Sequence, residues 1–553
     1  MKKLLTLFPA CMLYAFTTTA QTPFTDYEYV DANNIKASVA MHGDLWWRPD
    51  SMDAGCFFPK TTKKNPAFVG ALWMSGHDQM ANLATSAQTY RYGTDFWPGP
   101  ASTSGALSYT VSEKWARIWK VSYIDINNFK AQSNHTTANT PAVILEWPAK
   151  NNPYAKGRAG VALTVTTDMA PFVDVNADGN YNPLQGDYPE LKGDQMLWWV
   201  FNDNGPTHSN TQTAPIGVEV KARAYAYSRG ISAVNNIVFY EYDIRNVSNL
   251  NYSDYRVALW SDVDQGFYND DYIAFDSTRR MAICMNGDAI DGMNSEPNAY
   301  GATPPVTGYT LLQLPGDNGT NYVPAGSFMY FNNDNTVMGN PQSAPEYSSY
   351  MRAMWRDGQH LVNDYVGHGV NTKGRGAGPQ TNYVFPGNPR NASEWSECQS
   401  TNAIGDRRMV LSSPDYAFNG GTSIKFAFAL VVTDTSHKNT CDSISFDGVK
   451  ALADTAWKYY RTPLTPIGVS VQQLAAQKDY KLFPNPAKDV LHITWQGSAP
   501  ELKVYDVNGR SMGVSYQYQG GDIRTDISAL VPGIYMLHCT DGNISINTTF
   551  IKE

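Results

Sequence analysis

Ile216-Gly217-Val218-Glu219-Val220-Lys221-Ala222-Arg223-Ala224-Tyr225-Ala226-Tyr227-Ser228 is followed, five residues later, by the run Val234 to Val247. The first run puts Val218, Val220, Ala222, Ala224 and Ala226 on one face and Glu219, Lys221, Arg223, Tyr225 and Tyr227 on the other. The second puts Val238, Tyr240, Tyr242 and Ile244 on one face and Glu241, Asp243 and Arg245 on the other. A period of two over both runs is the signature of strands with unlike faces. Together they predict a long antiparallel hairpin. A turn at Arg229 to Ala233 places Lys221 opposite Glu241, and Glu219 beside Asp243 and Arg245, as modestly stabilising cross-strand pairs.

Other stretches extend the same pattern. Phe68 to Trp73, Ala116 to Ile126 and Arg256 to Trp260 read as strands. In Ile424 to Val432, large residues (Ile424, Phe426, Phe428, Leu430, Val432) alternate with Ala427 and Ala429. This predicts a central strand whose small-residue face is closely approached. Phe446, Val449, Leu452, Ala453, Ala456, Trp457 and Tyr460 recur at helical spacing, so Ser443 to Tyr460 is an amphipathic helix laid on the sheets. Aromatics reach 13%, with 43 glycines and 32 prolines among 553 residues and few long amphipathic segments. The expected fold is mostly β: a large β-sandwich-type main domain over 21–462, then a linker over 463–479 and a small domain over 480–553. The main domain is one unit, or two divided near Asn204 to Pro215, which is polar and turn-rich.

The last stretch opens with Leu482-Phe483-Pro484-Asn485-Pro486 and passes through Tyr505-Asp506-Val507-Asn508-Gly509-Arg510. It continues with Val531-Pro532-Gly533-Ile534-Tyr535 and ends Phe550-Ile551-Lys552-Glu553. Leu491, Ile493 and Trp495 alternate with Val490, His492 and Thr494, while Asn508-Gly509 and Pro532-Gly533 are turn dipeptides. Several short strands in so few residues predict a small Ig-like sandwich. These motifs, in this order, resemble the type A C-terminal sorting domain of the type IX secretion system of Bacteroidota. The resemblance implies a signal read by the outer-membrane translocon, with Pro484, Asn485, Pro486, Tyr505, Asp506, Gly509, Arg510, Gly533, Tyr535 and Lys552 as its sorting positions. It also implies removal of the tail and release of the cargo, or its attachment to surface lipopolysaccharide. The alternative is an ordinary β module used in carbohydrate binding or as a spacer. The main region also resembles a group of large, poorly characterised secreted proteins of the same phylum. It does so in Gly193-Asp194-Gln195, in Trp198 to Asp203, in the hairpin and in the Asp-rich segments around them. That likeness brings no activity with it.

The other end agrees with export. Lys2 and Lys3 precede the mostly apolar Leu4 to Phe16, and Thr18-Thr19-Ala20 supplies small residues before Gln21, as in a secretory signal peptide over 1–20. No other segment approaches ~20 continuous apolar residues, so no transmembrane segment is expected in the mature chain. The formal charge is −9; without Lys2 and Lys3, 40 basic residues face 51 acidic ones. That balance argues against nucleic acid as a partner. Of six cysteines, Cys11 leaves with the signal and Cys539 lies in the tail, leaving Cys56, Cys284, Cys398 and Cys441 for an oxidising compartment. Cys398 with Cys441 is the first expected disulfide.

Asp174-Val175-Asn176-Ala177-Asp178-Gly179-Asn180 places oxygen side chains at alternate positions and then glycine, the first half of a calcium loop. The twelfth position is Gln185 where a standard loop has Glu, and the acid comes later, at Asp187. The expected calcium donors are Asp174, Asn176, Asp178, Asn180 and Asp187; the alternative is an Asx-stabilised turn without metal. A second acidic cluster, Asp262, Asp264, Asp270 and Asp271 with Asp276, is a further calcium candidate, with ion pairs to Arg279 and Arg280 as the alternative. Trp46-Trp47 and Trp97 are candidates for stacking on sugars, because neighbours on a strand point to opposite faces; the alternative is core. Glu241 and Asp243, about 7 Å apart along one strand face, are the one candidate acid/base pair for glycoside hydrolysis, against their reading as rungs of a charge ladder. No HExxH, serine-hydrolase elbow or phosphate loop is present. The resulting expectation is a secreted or surface-attached, calcium-stabilised adhesin or glycan-binding protein without catalysis. A polysaccharide-degrading enzyme and a structural subunit of an extracellular matrix are the alternatives.

Overall fold

The computed structural model describes residues 24–90, 95–102, 107–206, 208–230, 232–292, 296–318, 322–363, 373–434, 441, 443–464, 481–495, 499–506, 510–540 and 545–553, the last group with side chains from 548. The expected signal peptide, most of the expected linker and the Asn508-Gly509 turn lie outside these residues. The chain forms two compact units, Met1–Ile467 and Gly468–Glu553.

In the first unit two antiparallel sheets face each other. The order of the nine-stranded sheet is Asp271–Asp276, Met281–Asn286, Val306–Gln313, Ser423–Val432, Ile237–Asn246, Val218–Ala226, Gln195–Asn202 and Trp97–Pro98, with Trp119–Ser122 also on Gln195–Asn202. The six-stranded sheet runs Ser327–Asn332, Arg407–Ser412, Tyr252–Asp262, Val69–His77 and Leu83–Ala87, with Tyr416–Phe418 beside Tyr252–Asp262. Alternation assigns the sides. Val218, Val220, Ala222, Tyr240, Tyr242, Phe426 and Phe428 join the core shared with the six-stranded sheet, while Tyr225, Phe239, Ala427 and Ala429 join a second core on the opposite face. Over the second core lies the helix Asp447–Arg461, burying Val449, Leu452, Ala453 and Ala456. It comes close because Gly308 has no side chain: a Cβ there would stand 2.7 Å from Val449.

The hairpin register differs from the expected one by two residues. Lys221 pairs with Asp243, Arg223 with Glu241 and Glu219 with Arg245. The cause is a 3₁₀ turn at Ala233–Asn236, which takes up residues that a tight turn leaves in the strand and delays the return to Ile237. Similarly, the expected strand Ala116 to Ile126 narrows to Trp119–Ser122. There Ser122 and Asp125 form a capping box and start the helix Tyr123–Lys130. The segment 204–215 links two strands paired in one sheet. The residues at its two ends are tied together: buried Asp203 accepts the N–H groups of Ile216, Gly217 and Val218 at 2.6–3.0 Å, and the Ser86 hydroxyl at 2.7 Å.

The second unit is a sandwich of two four-stranded antiparallel sheets around Leu491, Ile493, Trp495, Val504, Ile523, Leu537 and Phe550. Cys398 and Cys441 form a disulfide in the first unit, and Cys56, Cys284 and Cys539 are buried thiols.

Candidate functional site

A cleft of about 440 Å³ opens on the outer face of the nine-stranded sheet, where the hairpin's charged residues emerge. Its floor is Arg223, Glu241, Asp243 and Lys425 from three neighbouring strands; Asp168 to Phe172, Glu190 and Lys192 form one wall, and Tyr460 of the helix Asp447–Arg461 closes another side. Asp243 lies in register between Lys221 and Lys425.

Glu241 is the best-buried carboxylate of the floor. Lys192 Nζ donates to both of its oxygens at 2.7 Å, Arg223 Nε lies at 3.0 Å and the Tyr225 hydroxyl donates at 2.8 Å. Burial alone pushes the Glu241 carboxyl up, but Arg223 and Lys192 outweigh it and hold the group below its ordinary range. Burial draws Lys192 down, with Glu241 opposing. Burial beside Glu241 drives the Tyr225 phenol well up. Glu241 is therefore an ionised rung, and a proton donor for hydrolysis needs the opposite tuning. Arg223 Nη1 is buried with no partner, and the cleft holds one lysine, Lys425, outside every ion pair among the described residues.

The loop 174–187 lies in the chain between Phe172 and Glu190, both of which line the same wall of this cleft. It joins the short strands Phe172–Val173 and Tyr188–Pro189, which pair with each other. Asp174 accepts from Gly179 N at 2.8 Å and Asp178 from Asn180 N at 2.8 Å, while Asn176 Nδ2 reaches Asp178 and Gln185 at 2.9 and 3.0 Å. The Asn180 N–H and the Asn176 amide hold the Asp178 carboxyl below its usual range. Gly179 turns the chain at φ +78°. Asp187 is buried, and its oxygens take Val175 N and Asn182 N, each at 2.8 Å, so it knits the base of the loop. Among the described residues, no three carboxylates of this loop come within 4.8 Å of one another.

The second acidic group does not form one constellation. Asp270 accepts from Gly292 N, Asp271, the first residue of the strand Asp271–Asp276, accepts from Gln265 N, and Asp276 pairs with Arg279. Burial, with Asp291 and Asp288 nearby, pushes Asp270 up to about 7. Asp262 and Asp264 instead approach Asp406, a residue that sequence reading missed because its partners lie far upstream. The only nearby signal is its place two residues before Arg408, which pairs with Asp262 across the strands.

The tryptophan candidates need correction. Trp46 is fully buried and Trp47 nearly so. Trp46 adopts φ +64°, so strand alternation does not apply to the pair. Its ring is wedged between the sheets, where a Cβ on Gly70 would stand 2.5 Å away, and its Nε1 donates to the Tyr240 hydroxyl at 2.9 Å. Trp47 packs on Phe68 and Tyr90. Neither ring offers a face to a sugar. Trp97 is half-buried against Gly205 and Tyr109.

In the small unit the motif residues hold strands together. Pro484 and Pro486 flank Asn485, whose side chain accepts from Ile551 N at 2.9 Å, and Lys552 pairs with Gly533 on the adjacent strand. Tyr505 and Asp506 face Met536 and Tyr535; Asp506 accepts from Arg510 N at 2.9 Å, and Tyr535 stacks on Phe550. Gly509 lies outside the described residues.

Residues 481–553 match the family described as the secretion system C-terminal sorting domain. No curated protein matches the chain. A solved polysaccharide lyase aligns at 8% identity over 62% of this chain and 34% of its own, with a TM-score of 0.18. The chain thus spans about a third of that lyase, and at this score the alignment carries neither fold nor activity. The tail makes the chain cargo of the type IX secretion system, exported to the cell surface or the extracellular space by engaging that machinery. No helix among the described residues is long and apolar enough to cross a membrane.

Proposed function

We propose that the main unit is a non-catalytic glycan-binding or adhesive protein, with calcium in the loop 174–187 bracing one wall of its cleft. The observation that carries this reading is the cleft floor. It offers acidic and basic side chains at alternating positions beside the half-buried rings of Phe172 and Tyr460, which suits polar hydroxyls and apolar sugar faces together. Its one buried carboxylate is already engaged by two cations and a phenol. The test uses the intact exported protein on glycan arrays and whole cells. Retention is expected, weakened at least ~tenfold by Phe172→Ala or Lys425→Ala, the loss of about 1.4 kcal/mol. Chelation, or Asp174→Asn with Asp178→Asn, should weaken it too. Absence of retention on every surface sinks the proposal. Cleavage of a polymer that disappears in Glu241→Gln replaces it with the hydrolase reading.

A further inference from the structure

A buried cluster away from the cleft carries more negative charge than its surroundings neutralise. Asp262 ends the strand Tyr252–Asp262, Asp264 lies in the turn after it, and Asp406 immediately precedes the strand Arg407–Ser412. Each brings a carboxylate oxygen within 4.8 Å of the other two. One guanidinium faces them. Arg408 binds Asp262 Oδ2 at 2.8 Å and Asp406 Oδ1, and its other N–H groups go to the Tyr90 oxygen at 2.6 and 3.1 Å. The Tyr90 hydroxyl in turn donates to Asp262 Oδ2. Three carboxylates against one cation leave an excess of two negative charges. Asp262 is 1% exposed and Asp264 9%, so water does little to absorb them.

The hydrogen bonding points the same way. Asp262 Oδ1 and Asp264 Oδ1 are buried and receive no donor. Asn65, fully buried, spends its Nδ2 on the backbone carbonyl of Asp264 and leaves Oδ1 without a donor as well. Native proteins satisfy nearly all such groups. Asp264 also stands at φ +29°, a strained conformation for a residue with a side chain. Asn65 holds that turn from both sides, because its own carbonyl accepts from Gly266 N at 2.8 Å. A proton shared between Asp262 and Asp264 satisfies one pair of oxygens and removes one charge. A divalent cation removes both charges and takes oxygen donors alone.

We infer that Asp262, Asp264 and Asp406 hold a hard divalent cation, with calcium the ion of choice for an all-oxygen site completed by water. The ion has a way in. Asp406 is half-buried and lines an open cleft of about 350 Å³ with Asn269, Asn333 and Asn402. This site is separate from the loop 174–187 and does not depend on glycan binding.

The probe is calcium itself, titrated calorimetrically into the intact chain carrying Asp174→Asn and Asp178→Asn, which silences the loop. Terbium serves as a luminescent substitute, excited through Tyr90 and Trp260, whose rings lie 5.6 Å apart beside the cluster. We expect one ion per chain to remain. Asp264→Asn should lower its affinity by more than the ~10–100-fold that loss of a ligand's outer-shell partner costs, and should abolish terbium emission. In chelator, Asp264→Asn should melt no lower than its parent, since it removes a repelled charge. Asp406→Asn, at the half-buried position, should repeat the loss of binding and guards against misfolding of the first variant. No calcium binding in the silenced chain overturns the inference, as does binding unchanged by both substitutions.

Discussion

Replacing Glu241 with glutamine tests whether the cleft floor is an ion ladder. Glutamine keeps the shape and one acceptor, but it removes the charge and turns an N–H toward Lys192 and Arg223. Those two cations currently sit at 2.7 and 3.0 Å from the carboxylate. Removing one partner of a buried pair costs about 3–5 kcal/mol. The Lys192 and Arg223 side chains keep 25% and 23% exposure, so solvent recovers part of that. The expected loss at pH 7 is therefore about 2–3 kcal/mol. The pH dependence follows from the sign of the shift. Burial raises the Glu241 carboxyl, Arg223 and Lys192 outweigh it, and the folded group titrates below its ordinary 4.5. A group depressed in the folded state contributes stability above its unfolded pKa and loses it as pH falls through the folded one. The deficit of the variant should be full from neutrality down to about 4.5, then shrink, and vanish once Glu241 of the native chain is protonated. Urea denaturation followed by intrinsic fluorescence, at steps across that range, reads it directly. A variant as stable as the native chain at pH 7, or a deficit that ignores pH, refutes the ladder.

Three further variants probe the frame of the first unit. Gly70→Ala forces a methyl into the Trp46 ring, 2.5 Å from the Cβ position, and should cost about 1–3 kcal/mol with loss of near-ultraviolet dichroism. Arg280→Leu removes a fully buried cation held between Tyr322 and Trp457 at 4.3 and 4.5 Å and strands its partner Asp317, 2.8 Å away. About 3–5 kcal/mol is expected, seen as earlier proteolysis in the helix Asp447–Arg461. Cys398→Ser with Cys441→Ser opens a disulfide of sequence separation 43 and should lower stability by about 2–4 kcal/mol, read as an earlier urea midpoint under non-reducing conditions.

Period-two alternation was readable because burial differs between the faces of each strand. Ile424 to Val432 shows how far that goes. Its large residues face the inter-sheet core, and its alanines admit a helix whose own apolar stripe is visible at helical spacing. What alternation cannot supply is position along a partner strand. The 3₁₀ turn at Ala233–Asn236 moves Glu241 from Lys221 to Arg223, and nothing in the strand residues themselves reports it. The tryptophans fail for a related reason. Trp46 leaves extended geometry, while Trp198 and Trp199 keep it and are both buried because each face of their strand is covered. Acidic residues are harder still. After Tyr252–Asp262, neighbours in sequence separate: Asp270 bonds the Gly292 amide and Asp271 the Gln265 amide, and Asp264 meets Asp262 and the distant Asp406. A run of aspartates therefore measures local charge. Whether that charge gathers at one point depends on which backbone N–H groups the turn leaves free, because each amide that takes a carboxylate oxygen withdraws it from the cluster. Asp262 and Asp264 remain together because the strained turn at Asp264, gripped by Asn65, offers their inner oxygens no such amide.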